Sequence, residues 1–157
     1  MKNSITKTLL LLALITGASV SKTYAQTTNA SLEVVGKMFD AFGKGDMENL
    51  KKTVADNSVW TYNGPKEIPY TGIYKGKDGA VQFIGNIISN VEVLDFKVDK
   101  MIADGATVAV IGFEKQKVKK TGKILEQKWV QIYTVENGLI TKMDEYANTA
   151  HAQQLFK

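Results

Sequence analysis

The sequence predicts an α+β fold, with three N-terminal helices packed against one face of a curved antiparallel (mixed) sheet. Three observations predict it. Apolar residues recur at helical spacing in two separated stretches, around Leu32 to Phe42 and Val81 to Ile88. The period changes to two from Val91 onward. Asn137-Gly138 then joins two alternating runs, and both residues accept the positive φ of a type I′ hairpin turn.

Residues 26–30 are polar and are expected to be frayed, after which Leu32, Val35, Met38, Phe39 and Phe42 form the apolar stripe of a first helix. Gly43 and Gly45 end it. Asp46 caps a short second helix through Met47, Leu50 and Val54, closed by Asp56-Asn57. Ser58 to Tyr62 has the composition of a short strand, and Asn63-Gly64-Pro65 and Pro69 mark turns before an edge segment reaching Tyr74. A third helix follows Gly76, capped by Asp78, with Val81, Ile84, Ile87 and Ile88 on its apolar side and Asn90 at its end. Leu94, Phe96 and Val98 then alternate with Asp95, Lys97 and Asp99, Asp104-Gly105 makes a turn, and Thr107 to Val118 is the next strand. The final hairpin completes a four-stranded meander.

Turn chemistry sets a register. Pairing Glu136 with Leu139 across Asn137-Gly138 places Gln131 opposite Asp144, Trp129 opposite Tyr146 and Gln127 opposite Asn148. A two-residue turn at Thr121-Gly122 places Glu114 opposite Trp129. Opposed side chains share a face, so Val110, Gly112, Glu114, Trp129, Gln131, Tyr133, Asp144, Tyr146 and Asn148 form a mixed face, and Ile111, Phe113, Val130, Ile132, Met143 and Ala147 an aliphatic one. Two arrangements are open: the helices cover the mixed face and leave a cavity, or they cover the aliphatic face and leave the mixed one to solvent. The first is favoured, because three aromatic side chains on an open sheet would expose much apolar area.

Composition narrows the chemistry. Lys2 and Lys7 precede an apolar run from Leu9 to Val20 and then Thr23-Tyr24-Ala25, the layout of a secretory signal peptide cleaved between Ala25 and Gln26. Residues 1–25 are therefore expected to be the leader and residues 26–157 a single domain that is periplasmic or secreted, with no membrane segment after cleavage. Removing three lysines and no acids lowers the formal charge from +4 to 17 lysines against 16 acids, which argues against a nucleic-acid partner. The lysines around Thr121-Gly122 fit a solvated hairpin tip. The chain has no cysteine, no arginine and one histidine, His151. Thiol and Ser-His-Asp catalysis, a histidine-based zinc site and a guanidinium clamp are all excluded by inventory, and there is no Gly-rich phosphate loop. No metal and no cofactor is expected, and any proton transfer falls to Asp, Glu, Tyr, Lys or water.

The helical pair, the run Val59-Trp60-Thr61-Tyr62-Asn63-Gly64-Pro65, the stretch Tyr74-Lys75-Gly76-Lys77-Asp78-Gly79 before a helix, and Asn137-Gly138-Leu139-Ile140 leading to Asp144-Glu145-Tyr146-Ala147-Asn148-Thr149 resemble SnoaL-like proteins of the nuclear transport factor 2-like superfamily. The resemblance covers about residues 30 to 150. It implies a cone-shaped α+β fold with a pocket between helices and sheet, frequently dimeric, in a family that holds polyketide cyclases, isomerases, dehydratases and members with no assigned activity. Carried over by position, the acid-base Asp of SnoaL-type cyclases, ten residues after the hairpin glycine, falls on Asn148. Their pocket histidine falls on Gln131, and the base Asp of ketosteroid isomerase relatives falls on Tyr62. None of the three can act as the family's group does, so the known mechanisms do not transfer.

The expected ligand-binding residues are Trp60, Tyr62, Phe83, Trp129, Gln131, Tyr133, Tyr146 and Asn148. Asp144 and Glu114 are the catalytic candidates, with Glu126 behind them. A carboxylate desolvated in an apolar pocket suits proton abstraction beside a carbonyl; equally, Asp144 accepts hydrogen bonds from a neighbour and Glu114 pairs with a lysine. The leading expectation is an exported pocket for a small, largely apolar or mixed-polarity molecule, in a homodimer. The alternatives are a cofactor-independent isomerase, cyclase or dehydratase, and a structural dimer module.

Overall fold

The computed structural model describes residues 24–157. Helix α1 runs over residues 24–43 and α2 over Met47–Lys52. They are followed by β1 (Val54–Tyr62), β2 (Gly72–Lys75), α3 (Gly76–Asn90), β3 (Val91–Asp104), β4 (Thr107–Val118), β5 (Ile124–Glu136), β6 (Leu139–Ala147) and α4 (Thr149–Phe156). The strands form one six-stranded sheet in the order β2-β1-β6-β5-β4-β3, antiparallel except where β1 lies parallel to β6. The apolar leader expected at the N-terminus lies on residues outside the described ones. Ala25 and Gln26 sit exposed in the first described turn of α1.

The helices cover one face of the sheet. Ala80, Phe83 and Ile84 of α3 are buried beside β1 and β2, Phe83 against Trp60, Tyr62 and Tyr74, and they share one core with Val35, Met38 and Ala41 of α1 and with Val108, Val110, Leu125, Trp129 and Tyr133 of β4 and β5. Phe39 of α1 stacks on Trp129 at 6.2 Å and meets Tyr133 edge-on at 6.1 Å, while Phe96 of β3 stacks on Trp129 at 5.2 Å. Each such aromatic pair adds about 0.5–1.5 kcal/mol beyond area burial, so this cluster fixes α1 on the sheet. Gly112, opposite Trp129 on β4, makes it possible. A Cβ at position 112 would enter the Trp129 ring and lie 2.5 Å from the Lys97 carbonyl oxygen.

Several local expectations are revised. Residues 26–30 are helical rather than frayed: Thr28 Oγ1 donates to the Tyr24 carbonyl at 3.1 Å, Ser31 Oγ to the Thr27 carbonyl at 2.9 Å, and the Gly105 N–H bonds Thr28 Oγ1 at 3.1 Å, which ties the helix to the β3–β4 turn. Asp46 caps α2 by accepting the Asn49 N–H at 3.0 Å, but α2 stops at Lys52. Val54, Asp56 and Asn57 belong to β1, because Val54 pairs with Ile140 and the Ile140 N–H bonds the Thr53 carbonyl at 2.8 Å. Helix α3 begins at Gly76 without a side-chain cap, and Asp78 lies in its first turn, ion-paired with Lys51 at 2.9 Å. The strict alternation expected in β3 is broken by register shifts between Val93 and Asp95 and between Val98 and Lys100. Helix α4, which the sequence reading omits, starts at an Asn148 cap.

The two hairpin registers differ from expectation in opposite ways. At the β4–β5 connection the strands end at Val118 and Ile124, closed by Gly122 N–H to Val118 O and Val118 N–H to Lys123 O. The loop is therefore longer than two residues, and Glu114 faces Gln127 while Gly112, not Glu114, faces Trp129. A shift of two keeps every side chain on its face. In the final hairpin the Asn137-Gly138 turn has the expected positive φ values, 52° and 76°, and Glu136 pairs with Leu139. The register then shifts by one between Val135, paired with Ile140, and Thr134, paired with Lys142. Thr141 is the extra residue of a β-bulge, and every residue beyond it changes face relative to the regular ladder.

Candidate functional site

The bulge decides which acid faces inward. Met143 and Glu145 are buried on the helix-covered face, whereas Asp144 turns outward to an ion pair with Lys142 at 2.6 Å and Tyr146 is 56% exposed. Asn148 lies past the strand, where its Oδ1 accepts the His151 N–H at 3.1 Å as the cap of α4. Asp144, Tyr146 and Asn148 are thus not together at the site, and the expected registers Gln131–Asp144 and Trp129–Tyr146 are replaced by Gln131–Glu145 and Trp129–Ala147. Glu126 is also remote, paired with Lys115 at 3.1 Å on the exposed face.

Between α1, α3 and the sheet lies a cavity of about 50 Å3, lined by Met38, Phe39, Phe42, Trp60, Phe83, Ile84, Ile87, Val93, Phe96, Glu114, Gln116, Gln131, Tyr133 and Glu145. At ~10–15 Å3 per site this holds three to five waters. Its exposed end is marked by Val93, with half-buried Phe42 and Ile87 beside it, so the mouth opens between the two helices and β3. Of the residues expected to bind a ligand, Trp60, Phe83, Gln131 and Tyr133 line this cavity, as does Glu114. Trp129 and Tyr62 are buried in the surrounding core.

The buried polar groups at the cavity form two hydrogen-bonded groups, one around Glu114 and one around Glu145, whose charges act on one another. Glu114, 7% exposed, accepts from Gln127 Nε2 at 2.7 Å on Oε1 and from Gln116 Nε2 at 2.6 Å on Oε2. Glu145, 6% exposed, accepts from Gln131 Nε2 at 2.7 Å on Oε2, and Tyr133 Oη donates to Gln131 Oε1 at 2.5 Å. Tyr62 and Tyr70 sit beside these acids; Gln127 and Tyr62 lie near enough to affect one another, as do Tyr62 and Tyr70, but neither hydroxyl meets full hydrogen-bond geometry. The buried Nε1 atoms of Trp60 and Trp129 and the Oε1 atoms of Gln116 and Gln127 also lack partners.

The electrostatics follow from burial. Desolvation pushes the Glu145 carboxyl up to about 8, the nearby Glu114 charge adds to the rise, and the Gln131 hydrogen bond opposes it. Desolvation also raises Glu114, against the pull of the Gln127 hydrogen bond. Burial foremost, and then neighbouring charges, raise Tyr62, Tyr70 and Tyr133, so their hydroxyls remain protonated donors. Ionising one acid opposes ionisation of the other. No lysine or histidine lines the cavity, and no group of three or more His, Cys, Asp or Glu that could hold a metal ion exists among the described residues.

Sequence reasoning misses Glu145, Gln116, Gln127 and Tyr70. A signal for the first was present: Ile140 and Met143 are the apolar residues of β6 flanking two polar ones, and a spacing of three allows both to face inward only across a bulge.

A curved sheet with helices on its inner face and a cavity between them defines the nuclear transport factor 2-like class. The model of the SnoaL-like domain matches residues 35–143, more than half of the chain, and the protein belongs to that family. An NTF2-like protein from Burkholderia xenovorans LB400 superposes with a TM-score of 0.75 at 26% identity, covering 83% of this chain and 98% of that one. TerC, solved with polyporic acid, gives a TM-score of 0.67 at 17% identity over 81% of this chain and 98% of its own. The uncharacterized protein Rv0034 of Mycobacterium tuberculosis is 25% identical over 133 residues, 83% of this chain and 98% of the relative.

Proposed function

We propose that the protein is exported and binds a small, largely apolar molecule, with the aromatic walls holding its body and Glu114 and Glu145 meeting its polar end. One observation carries this reading: two buried carboxylates face an aromatic cavity that contains no cation of the protein's own. Burying an acid without a counter-charge is costly, and Gln116 Oε1 and Trp60 Nε1 are unpartnered in the lining of the same cavity. Such groups are what a bound molecule would satisfy. The likeness to TerC, which was co-crystallized with polyporic acid, supports a cavity in this fold as a place for small molecules.

The proposal is tested by screening the mature protein against a library of small apolar compounds by thermal shift. Ligands at a hundred times Kd raise stability by about 2.7 kcal/mol, and Trp60→Ala should abolish the shifts. A library that moves the melting temperature of neither protein refutes the reading.

A second reading has its own support. A carboxyl held near 8 titrates close to neutral pH and lines the same cavity as the protonated Tyr133, an arrangement that suits proton abstraction next to a carbonyl with Tyr133 stabilising the enolate. In this version Glu145 replaces Asp144 as the base of an isomerase, cyclase or dehydratase. Turnover retained in Glu145→Gln rules it out. Homodimer formation is proposed through the outer face, where Ile102 and Tyr146 are exposed and Ile111, Phe113, Val130 and Ile132 are half-buried; a monomer in sedimentation at micromolar concentration counts against it.

A further inference from the structure

Against one unpartnered donor at the cavity, Trp60 Nε1, stand two carboxylates and the unpartnered Gln116 Oε1. Neither Lys, Arg nor His lines the cavity. Gln116, 3% exposed, spends its Nε2 on Glu114 and leaves Oε1 buried, unpartnered and at the cavity. Each carboxylate can accept about four hydrogen bonds, and Glu145 receives one side-chain bond, from Gln131. The remaining wall is aromatic, with Phe39, Phe96, Trp60 and Tyr133 presenting rings of the kind that attract a cation.

We propose that the molecule bound here carries an ammonium group, seated between Glu114, Glu145 and Gln116 Oε1, with a hydrocarbon body extending toward the mouth at Phe42, Ile87 and Val93. This rests on the small-molecule reading above and specifies its ligand class. The size fits the division: a cavity of about 50 Å3 in all has room for a head group, and the half-exposed apolar mouth suits a body that keeps contact with solvent. An ammonium supplies up to three donors to a site short of donors and supplies the positive charge that the protein itself withholds. A carboxylate ligand would meet two acids. A neutral alcohol would bring no charge and leave the pair dependent on a proton. When the ammonium enters, the protonated member of the acid pair loses its proton, so binding releases protons near neutral pH.

The test uses benzylamine, benzyl alcohol and benzoate, three probes of one shape and different charge, titrated calorimetrically into the mature protein at pH 7 in two buffers of different ionisation enthalpy. Benzylamine should bind at least tenfold more tightly than benzyl alcohol, benzoate should not bind, and the two buffers should report net proton release. Glu145→Gln, whose fold is checked by circular dichroism, should lose both the preference and the proton release. Benzyl alcohol binding as tightly as benzylamine, or an amine preference unchanged in Glu145→Gln, overturns the ammonium assignment and leaves the pocket reading intact. Failure of all three probes overturns the ammonium assignment; failure also of the wider apolar library removes the pocket reading with it.

Discussion

Replacing Glu145 by glutamine keeps shape and the capacity to accept from Gln131 while removing the titrating group. The wild-type carboxyl rises from an ordinary 4.5 to about 8 on folding, chiefly through desolvation. An acid with a folded pKa above its unfolded one binds more protons in the native state, so stability is greatest below the unfolded value and falls as pH climbs toward the folded one. Each tenfold difference in proton affinity corresponds to about 1.36 kcal/mol, and the span from 4.5 to about 8 gives a loss on the order of 5 kcal/mol, complete above about pH 8. That is a large share of the ~5–15 kcal/mol available to a domain of this size. Urea unfolding followed by circular dichroism between pH 5 and pH 9 measures it. The wild type should lose several kcal/mol over that window; Glu145→Gln should lose much less, retain a smaller slope from Glu114, and be the more stable protein at pH 9. Parallel curves for the two proteins would refute the claim that Glu145 is buried without a compensating charge.

Two further outcomes follow from the packing and the register. Gly112→Ala drives a methyl into the Trp129 ring and toward the Lys97 carbonyl, so its urea midpoint should drop by the equivalent of about 1–3 kcal/mol, with an altered near-ultraviolet tryptophan signal. Asp144→Asn breaks a half-buried pair with the exposed Lys142 on the outer face; unfolding stability should change by about 1 kcal/mol, and ligand-induced thermal shifts should be unchanged.

The fold was legible because its signals are local and redundant. Helical periodicity marked α1 and α3, the Asp46 cap marked α2, and Asn137-Gly138 marked the last hairpin with the turn geometry it has. The site was legible only in part, for reasons that concern register. Between β4 and β5 the register differs from expectation by two, an even number, and Glu114, Gln131 and Tyr133 keep their face. Between β5 and β6 one unpaired residue, Thr141, reversed the face of all that follows, so the acid was placed one position away, at Asp144 instead of Glu145. Period-two reasoning is tolerant of the first error and blind to the second. Gln127 meets Glu114 only in the register that the longer β4–β5 loop sets, Tyr70 reaches Tyr62 from the irregular segment before β2, and α4 is too short and weakly apolar for periodicity to reveal.

The position of Thr141 also ties the bulge to the chemistry. With regular alternation inward from Ile140, β6 would bury Lys142 and Asp144 and expose Met143 and Glu145. An inward Lys142 would give the pocket its own ammonium, paired with Asp144 beside Glu114. The bulge instead sends Lys142 and Asp144 outward, where they pair with each other at 2.6 Å, and turns Met143 and Glu145 in. One residue in β6 therefore selects between a self-neutralised core and a cavity with two acids and no counter-charge. The second arrangement is the less stable by itself, since two desolvated carboxyls oppose one another. A buried charge deficit of that kind lowers stability in the free protein and is relieved only by something that enters: a proton, as the raised Glu145 carboxyl shows, or a cationic ligand that displaces it.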